Sequence, residues 1–261
     1  MVRTRQPWST ARIGSAILAS GLAVTVFGHV HHRGWHWTGL IDDLYANVGS
    51  ELAGMAVVIL LVDRLAARRE NDNLRRQLAR ELGSTDRGLT ARAVLELEVK
   101  GWLYDGTLTG AQLSGAQLGG ARLERAAMPA AVFAGADLTH ANLSHASIAG
   151  ANFAEAVLER ANLEMADLTR ASLIQARLPQ VDAALAILVE ANLYGADLTD
   201  ADLTSADLSG ADLRAADLTR ARLTGTHLTA VRWNPATRWP VGFTPPTPPD
   251  TGDTDLPHHL P

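Results

Sequence analysis

Residues 196–210 read Ala-Asp-Leu-Thr-Asp, Ala-Asp-Leu-Thr-Ser, Ala-Asp-Leu-Ser-Gly. The same phase runs without a break from Leu103 to Leu228, with a large apolar residue at every fifth position and one exception, Ala183. Two residues before each stands a small one, which is Ala at every repeat from Ala111 to Ala176 and again from Ala186 to Ala221. Five is the wrong period for the common elements. A helix turns about 100° per residue, so steps of five scatter the leucines round its axis. A strand alternates faces, so an odd step sends successive leucines to opposite sides. A chain that turns a corner at every pentad points each Leu and each Ala at one central axis. Stacked coils of that kind form a solenoid in which each repeat touches only its neighbours.

These pentads resemble pentapeptide repeats. The resemblance implies an all-β, right-handed quadrilateral β-helix with four pentads per coil, in which the slot before each Leu points outward. The 26 pentads then make about 6.5 coils and, at roughly 4.8 Å per coil, a rod of about 31 Å. Four sides also mean that residues 20 apart stack, so Phe133 should lie on Phe153. Ala183 leaves a small residue between Leu163 and Leu203 in one column. The segment Leu178–Ala183, with Pro179 unable to donate a ladder hydrogen bond, is expected to bulge or close inward.

The N-terminal third has a different composition. Ile13 to Val30 carries no charge and is preceded by Arg3, Arg5 and Arg12. Leu44 to Val62 is apolar apart from a few polar residues and Glu51, and Arg64, Arg68, Arg69, Arg75, Arg76 and Arg80 follow it. Two apolar segments of that length read as a transmembrane hairpin. The arginine bias puts both ends in the cytoplasm, with Trp35 and Trp37 at the outer interface. Three stretches resemble bacterial membrane-anchored pentapeptide repeat proteins: Asp43–Leu52, Gln77–Ser84 and Gly101–Leu108. That resemblance brings no activity with it.

The expected organisation is a cytoplasmic N-terminus over 1–12 and a transmembrane hairpin over 13–63, with spans at about 13–30 and 44–62. A cytoplasmic helical linker and cap follows over 64–100, then the β-helix over 101–230, a C-terminal cap over 231–244 and a disordered tail over 245–261. A solenoid needs both ends covered. Asp86 can N-cap a helix that buries Leu89, Ala93, Val94 and Leu97, and Gly101 can end it. Trp233, Trp239 and Phe243 can form the lid at the far end.

Composition narrows the chemistry. With no Cys, neither a disulfide framework nor a thiolate metal site is possible. Net charge is +3 over residues 1–100, −7 over 101–230 and −1 over 231–261. His29, His31, His32 and His36 cluster near the end of the first apolar segment, without the spacing of a known metal site, and read as solvated interfacial residues. His140 and His145 fall in outward slots near Ser144 but on adjacent faces, which is poor geometry for a nucleophile and its base. Asp137, Asp167, Asp197, Asp202, Asp207, Asp212 and Asp217 occupy the slot before Leu. They read as solubilising and corner-bonding groups, because a convex rod offers no cleft for a carboxylate pair.

No catalytic, cofactor-binding or metal-binding residue is therefore expected. The leading reading is a non-enzymatic scaffold tethered to the cell membrane, multi-pass, that presents the rod to an unidentified cytoplasmic protein. Nucleic acid itself is not expected as a partner. The alternative is an acidic rod that mimics DNA and binds a topoisomerase or another nucleic-acid-binding protein. It rests on the series Asp197 to Asp217, against which Arg160, Arg170, Arg177, Arg214, Arg220 and Arg222 interrupt the surface.

Overall fold

The computed structural model describes residues 38–247 and, before them, residues 15, 16, 19, 20, 23 and 27. Two compact units divide the chain, Met1–Leu74 and Arg75–Pro261.

In the first unit the main element is α1, Thr38–Leu82, whose last turns belong to the second unit. It contains no Pro and is rich in Leu, Ala, Arg and Glu, which favours an unbroken helix. Its continuous apolar run, Leu52–Val62, is bracketed by Glu51 and Asp63 and is shorter than the roughly 20 residues a bilayer needs. Among the described residues no helix is long and apolar enough to cross a membrane. The transmembrane hairpin expected over 13–63 is therefore not supported there, and most of its first span, 13–30, lies outside the described residues. Met55, Val58, Leu61, Val62 and Leu65 are 54–59% exposed along α1.

The second unit is the solenoid and its caps. Parallel bridges join residues 20 apart, from Gln112↔Val132 to Asp212↔Arg232, so each coil holds four pentads. The pentad Ala136–His140 shows where its backbone N–H groups go. Asp137 N donates to Ala116 O of the previous coil (2.9 Å), while Leu138 N (2.7 Å) and His140 N (2.9 Å) donate to Val157 O and Glu159 O of the next. Ala141 N, which opens the next pentad, closes the corner on Leu138 O at 2.9 Å. Thr139 N, the one group left facing outward, donates to the Asp137 carboxylate at 2.9 Å. Buried backbone polar groups need partners, and this five-residue cycle supplies all of them.

The corner also requires left-handed backbone. Every fifth residue from Gly110 to Ala230 has positive φ, and 17 of these residues are not Gly, with φ between 53° and 60°. Each such residue costs about 1–2 kcal/mol in isolation. None of them is Val, Ile or Thr, the types that tolerate this region least.

The core follows directly from the phase. Both the Leu and the Ala slots are buried along most of the rod. Phe133 and Phe153 stack with centroids 4.6 Å apart and rings 2° from parallel, as the 20-residue register requires. The expected bulge at Leu178–Ala183 is absent. The bridges Asn162↔Asp182 and Asp182↔Asp202 are unbroken, and Ala183 N still donates to Asp202 O at 2.8 Å. The reason is a volume exchange inside one pentad: Val181 fills the slot that Ala holds elsewhere and is 1% exposed, while Ala183 holds the Leu slot at 2%. Pro179 takes the second position of the corner, where its missing N–H has no ladder partner to lose.

Caps close both ends. At the first, α2 (Arg87–Val99) starts at Asp86, whose side chain accepts from Gly88 N and Leu89 N. It stops in a Schellman motif, with Trp102 N donating to Leu97 O and Gly101 N to Glu98 O, both at 2.9 Å. Ala93, Val94 and Leu97 are buried as expected, but Leu89 is 41% exposed. Thr90 is buried in its place because its hydroxyl donates to Gln117 O at 2.6 Å. Leu78 and Leu82 of α1 complete this cap. Gly83 is required at the junction, since a Cβ there would sit 2.5 Å from Gln112 O.

At the far end the ladder continues past residue 230 with one residue inserted, so Arg238 lies opposite Asp217. Asn234 Oδ1 accepts from Ala215 N (3.0 Å) and the Thr237 hydroxyl donates to Leu213 O (2.8 Å), so the cap pairs two backbone groups of the last coil. Trp233, Trp239 and Phe243 form the expected aromatic lid, with centroids 6.0 and 5.3 Å apart in sequence.

The volume exchange is open to test. Val181→Ala should lower stability by about 2 kcal/mol by opening a cavity. Adding Ala183→Leu should recover most of that loss, since the pair then matches the ordinary pentad. Chemical denaturation of the native chain, both single variants and the double variant gives the coupling energy.

Candidate interaction surface

Only three of every five residues reach the surface of the rod: the one before each Leu and the two after it. The first of these is half consumed by structure. Wherever it is Asp or Asn, its side chain accepts from the backbone N–H two residues on, as in Asn142 to Ser144 (3.0 Å), Asp167 to Thr169 (3.0 Å) and Asp207 to Ser209 (2.9 Å). Thr at the second position adds its hydroxyl, as Thr204 does to Asp202 at 2.5 Å. Pro129 and Pro179 occupy that second position only after Ala127 and Arg177, which offer no such acceptor.

The acidic series does not form a row. Successive pentads lie on successive faces, so among Asp197, Asp202, Asp207, Asp212 and Asp217 only the first and last share a column. Together they ring one coil. Arginines one coil further on neutralise part of that ring: Arg222 lies 3.2 Å from Asp202, Arg232 lies 3.0 Å from Asp212 and Arg238 lies 3.3 Å from Asp217. At the corners Arg220 pairs with Asp200 and Arg170 with Glu190, both at 2.6 Å. The hydrogen bond from Arg220 holds the Asp200 carboxyl below the usual range, and that from Arg170 does the same for Glu190. A duplex presents a continuous, uncompensated line of charge, and this surface presents a ring in which three of the five carboxylates face an arginine.

The Asp212 carboxylate is the most enclosed of the set, with its side chain 3% exposed. Burial pushes its pKa up. Hydrogen bonds from the Arg214 side chain and backbone, with the nearby Arg232 guanidinium, outweigh burial and leave the pKa lowered. Arg214 also lies over the Tyr194 ring at 5.9 Å.

The other sequence-derived candidates are not brought together. His140 and His145 sit at consecutive corners, each with φ of 57°. Ser144 is buried and its backbone N–H is taken by Asn142. His29, His31, His32 and His36 lie outside the described residues. Among the described residues no group of His, Asp and Glu could hold a metal ion. A cleft of about 480 Å³ lies between α2 and the first coil, lined by Glu98, Tyr104, Arg122, Glu124, Arg125 and Asn142. Its two arginines each face a glutamate, Arg122 with Glu98 at 3.5 Å and Arg125 with Glu124 at 3.8 Å, so it has no surplus charge to recognise an ion. Sequence reasoning missed the exposed apolar residues Met165, Leu185, Ile187 and Tyr194. Their signal was present as large apolar side chains in outward slots.

The sequence profile of the pentapeptide repeat family matches residues 108–144, 136–175, 166–204 and 196–232, in 8 copies. Among solved structures, the chain is similar to HetL, a pentapeptide repeat protein involved in heterocyst differentiation regulation from the cyanobacterium Nostoc sp. That similarity is 29% identity over 54% of this chain and 70% of HetL, with a TM-score of 0.32. It is also similar to the pentapeptide repeat protein Rfr23 of the cyanobacterium Cyanothece (38% identity, 40% of this chain and 63% of Rfr23, TM-score 0.22). A third is a pentapeptide repeat protein of the Arabidopsis thaliana thylakoid lumen (28% identity, 37% and 63%, TM-score 0.30). No curated protein is significantly similar to the chain.

The Asp212 geometry sets a pH dependence. Its lowered folded pKa means that the stabilisation is fully present above the unfolded carboxylate value of about 3.9 and is lost as pH falls through the lower folded value. Asp212→Asn keeps an oxygen for the corner but loses both ion pairs. It should cost about 2 kcal/mol near neutral pH, and the deficit should shrink on acidification below the carboxylate range. Urea denaturation at the two pH values checks both parts.

Proposed function

We propose, from the premise that residues 108–232 are pentapeptide repeats, that the protein is a non-enzymatic scaffold whose right-handed quadrilateral β-helix offers its outward faces to another protein. The observation that carries this reading is how the outward side chains are used. Every Asp and Asn of the slot before Leu serves the corner beside it, and the outward side chains of neighbouring pentads diverge onto different faces. Catalysis needs groups that converge on one reacting atom, whereas a flat, regular face suits recognition of another surface. Pentapeptide repeat proteins are generally non-enzymatic and act through protein interaction.

The same proposal holds the rod at the cell membrane through the N-terminal third, with both termini and the repeat region in the cytoplasm. Its supports are the uncharged stretch Ile13–Val30, the exposed apolar residues Met55 to Leu65 on α1, and the arginines that follow them. Apolar side chains exposed over several turns are stable in lipid, and flanking arginines favour an anionic cytoplasmic leaflet. The DNA-mimic reading has less support, because its carboxylates are distributed as a ring and several are paired with arginine.

Three measurements test these readings. Proximity labelling by the full chain in its host should enrich proteins whose labelling falls when charge is reversed on a rod face. A labelled set indifferent to every such change overturns the scaffold reading. On cell fractionation, the chain should stay with membranes through high-salt and alkaline washes, and release by those washes overturns the tether. A topoisomerase supercoiling assay should show no inhibition at micromolar protein, and inhibition would restore the DNA-mimic reading.

A further inference from the structure

One face of the rod departs from the polar pattern in two adjacent coils. The left-handed corner slot holds Gly, Ala, or polar and charged residues along the described rod, except at Met165 and Leu185, with φ of 56° and 60°. These two are 20 apart and stack at one corner, where Met165 N donates to Ala184 O and Leu185 N to Thr204 O. They are 44% and 45% exposed. Ile187, two residues beyond Leu185, is 43% exposed and stands in the outward column of the adjoining face. Its bridge partners above and below are Asp167 and Asp207. The backbone cost is shared by every non-Gly corner, so what sets these two apart is a large apolar side chain held in water. Stacking two of them beside an exposed Ile gathers apolar surface in one place, which marks a contact site.

The flanking charges decide what kind of partner fits. The column reads Asp167, Ile187, Asp207, so the apolar centre has a carboxylate on each side along the rod axis. A second copy related by a two-fold axis through Ile187 would place each Asp167 against the other copy's Asp207. Such like-charge juxtaposition is unfavourable, and a cationic partner reverses its sign.

We propose that this patch docks a cationic amphipathic segment of a partner protein. Two or three aliphatic side chains of that segment cover Met165, Leu185 and Ile187, and Lys or Arg on either side of them meet Asp167 and Asp207. The inference rests on the scaffold reading above, for which it names a surface and a partner chemistry.

The test uses the full chain in phosphatidylcholine nanodiscs, with empty discs subtracted, and a fluorescent amphipathic helical peptide of Leu and Lys as the probe. Ile187→Thr keeps a β-branched residue in the ladder and should keep the native melting curve, and Leu185→Gly removes the corner strain and should melt no lower than the native chain. Each should weaken peptide binding about tenfold or more, as should Asp167→Asn with Asp207→Asn, which retain the corner acceptors. A peptide with Glu in place of Lys should not bind. Unchanged affinity in Ile187→Thr, or equal binding of the Glu peptide, overturns the proposal. So does self-association of the native chain in sedimentation that the same substitutions abolish, because the face then belongs to a second copy. Proximity labelling separates this inference from its premise. If Ile187→Thr leaves the labelled set intact while other rod-face changes alter it, the patch is wrong and the scaffold stands.

Discussion

The left-handed corner at every fifth residue is the constraint on which the rod depends. It turns the chain through a side of the square after each pentad, and it closes with the bond from the next Ala N–H to the Leu carbonyl. With that corner in place, every Leu and every Ala faces inward and the chain returns to register after 20 residues. Without it, the period of five has no face to bury. The cost of positive φ at so many residues with side chains is offset by two repeating gains, the ladder bonds between coils and the burial of a Leu and an Ala per pentad. No single pentad could sustain that balance, because its ladder partners belong to the coils above and below.

The same corner governs the surface. Its second residue has an N–H that faces outward, and Asp or Asn one residue before the Leu supplies the acceptor. The abundance of Asp in this rod is therefore in large part local backbone chemistry. Because successive pentads occupy successive faces, a run of Asp in the sequence becomes a ring round the rod, and alignment along the axis occurs only between residues 20 apart. The pairs of Asp200 with Arg220, Asp202 with Arg222 and Asp212 with Arg232 all obey that spacing.

Much of the fold was legible because the signal is periodic and local. The Leu and Ala slots named the core, and the stack of Phe133 on Phe153 followed from the four-pentad coil that the resemblance implies. The absence of Val, Ile and Thr from the corner slot was also visible as a string. The bulge expected at Ala183 was a misreading of volume one position at a time. Val181 and Ala183 are both buried in one pentad, so their volumes are set together, which a column-by-column reading separates. Thr90 took the place expected for Leu89 for a similar reason. The carbonyl of Gln117 needed a donor there, and helical spacing cannot anticipate a bond to a distant coil. The apolar segments of the N-terminal third were legible as segments, but their length was not uniform in character: in α1 the continuous apolar run is bounded by Glu51 and Asp63.

The candidate surface was the least legible part. Sequence order placed Asp197 to Asp217 in one series and kept Met165 apart from Leu185 and Ile187, and the coil reversed both relationships. By itself the sequence determined the period and the buried slots, because each of these is decided within a few residues by burial, while the four-sided register came with the family resemblance. The tertiary structure alone decided which outward residues become neighbours, which carboxylates find an arginine and which polar groups bond each cap to the rod. Those depend on contacts between coils 20 residues apart or between the rod and its caps, and no local rule carries them.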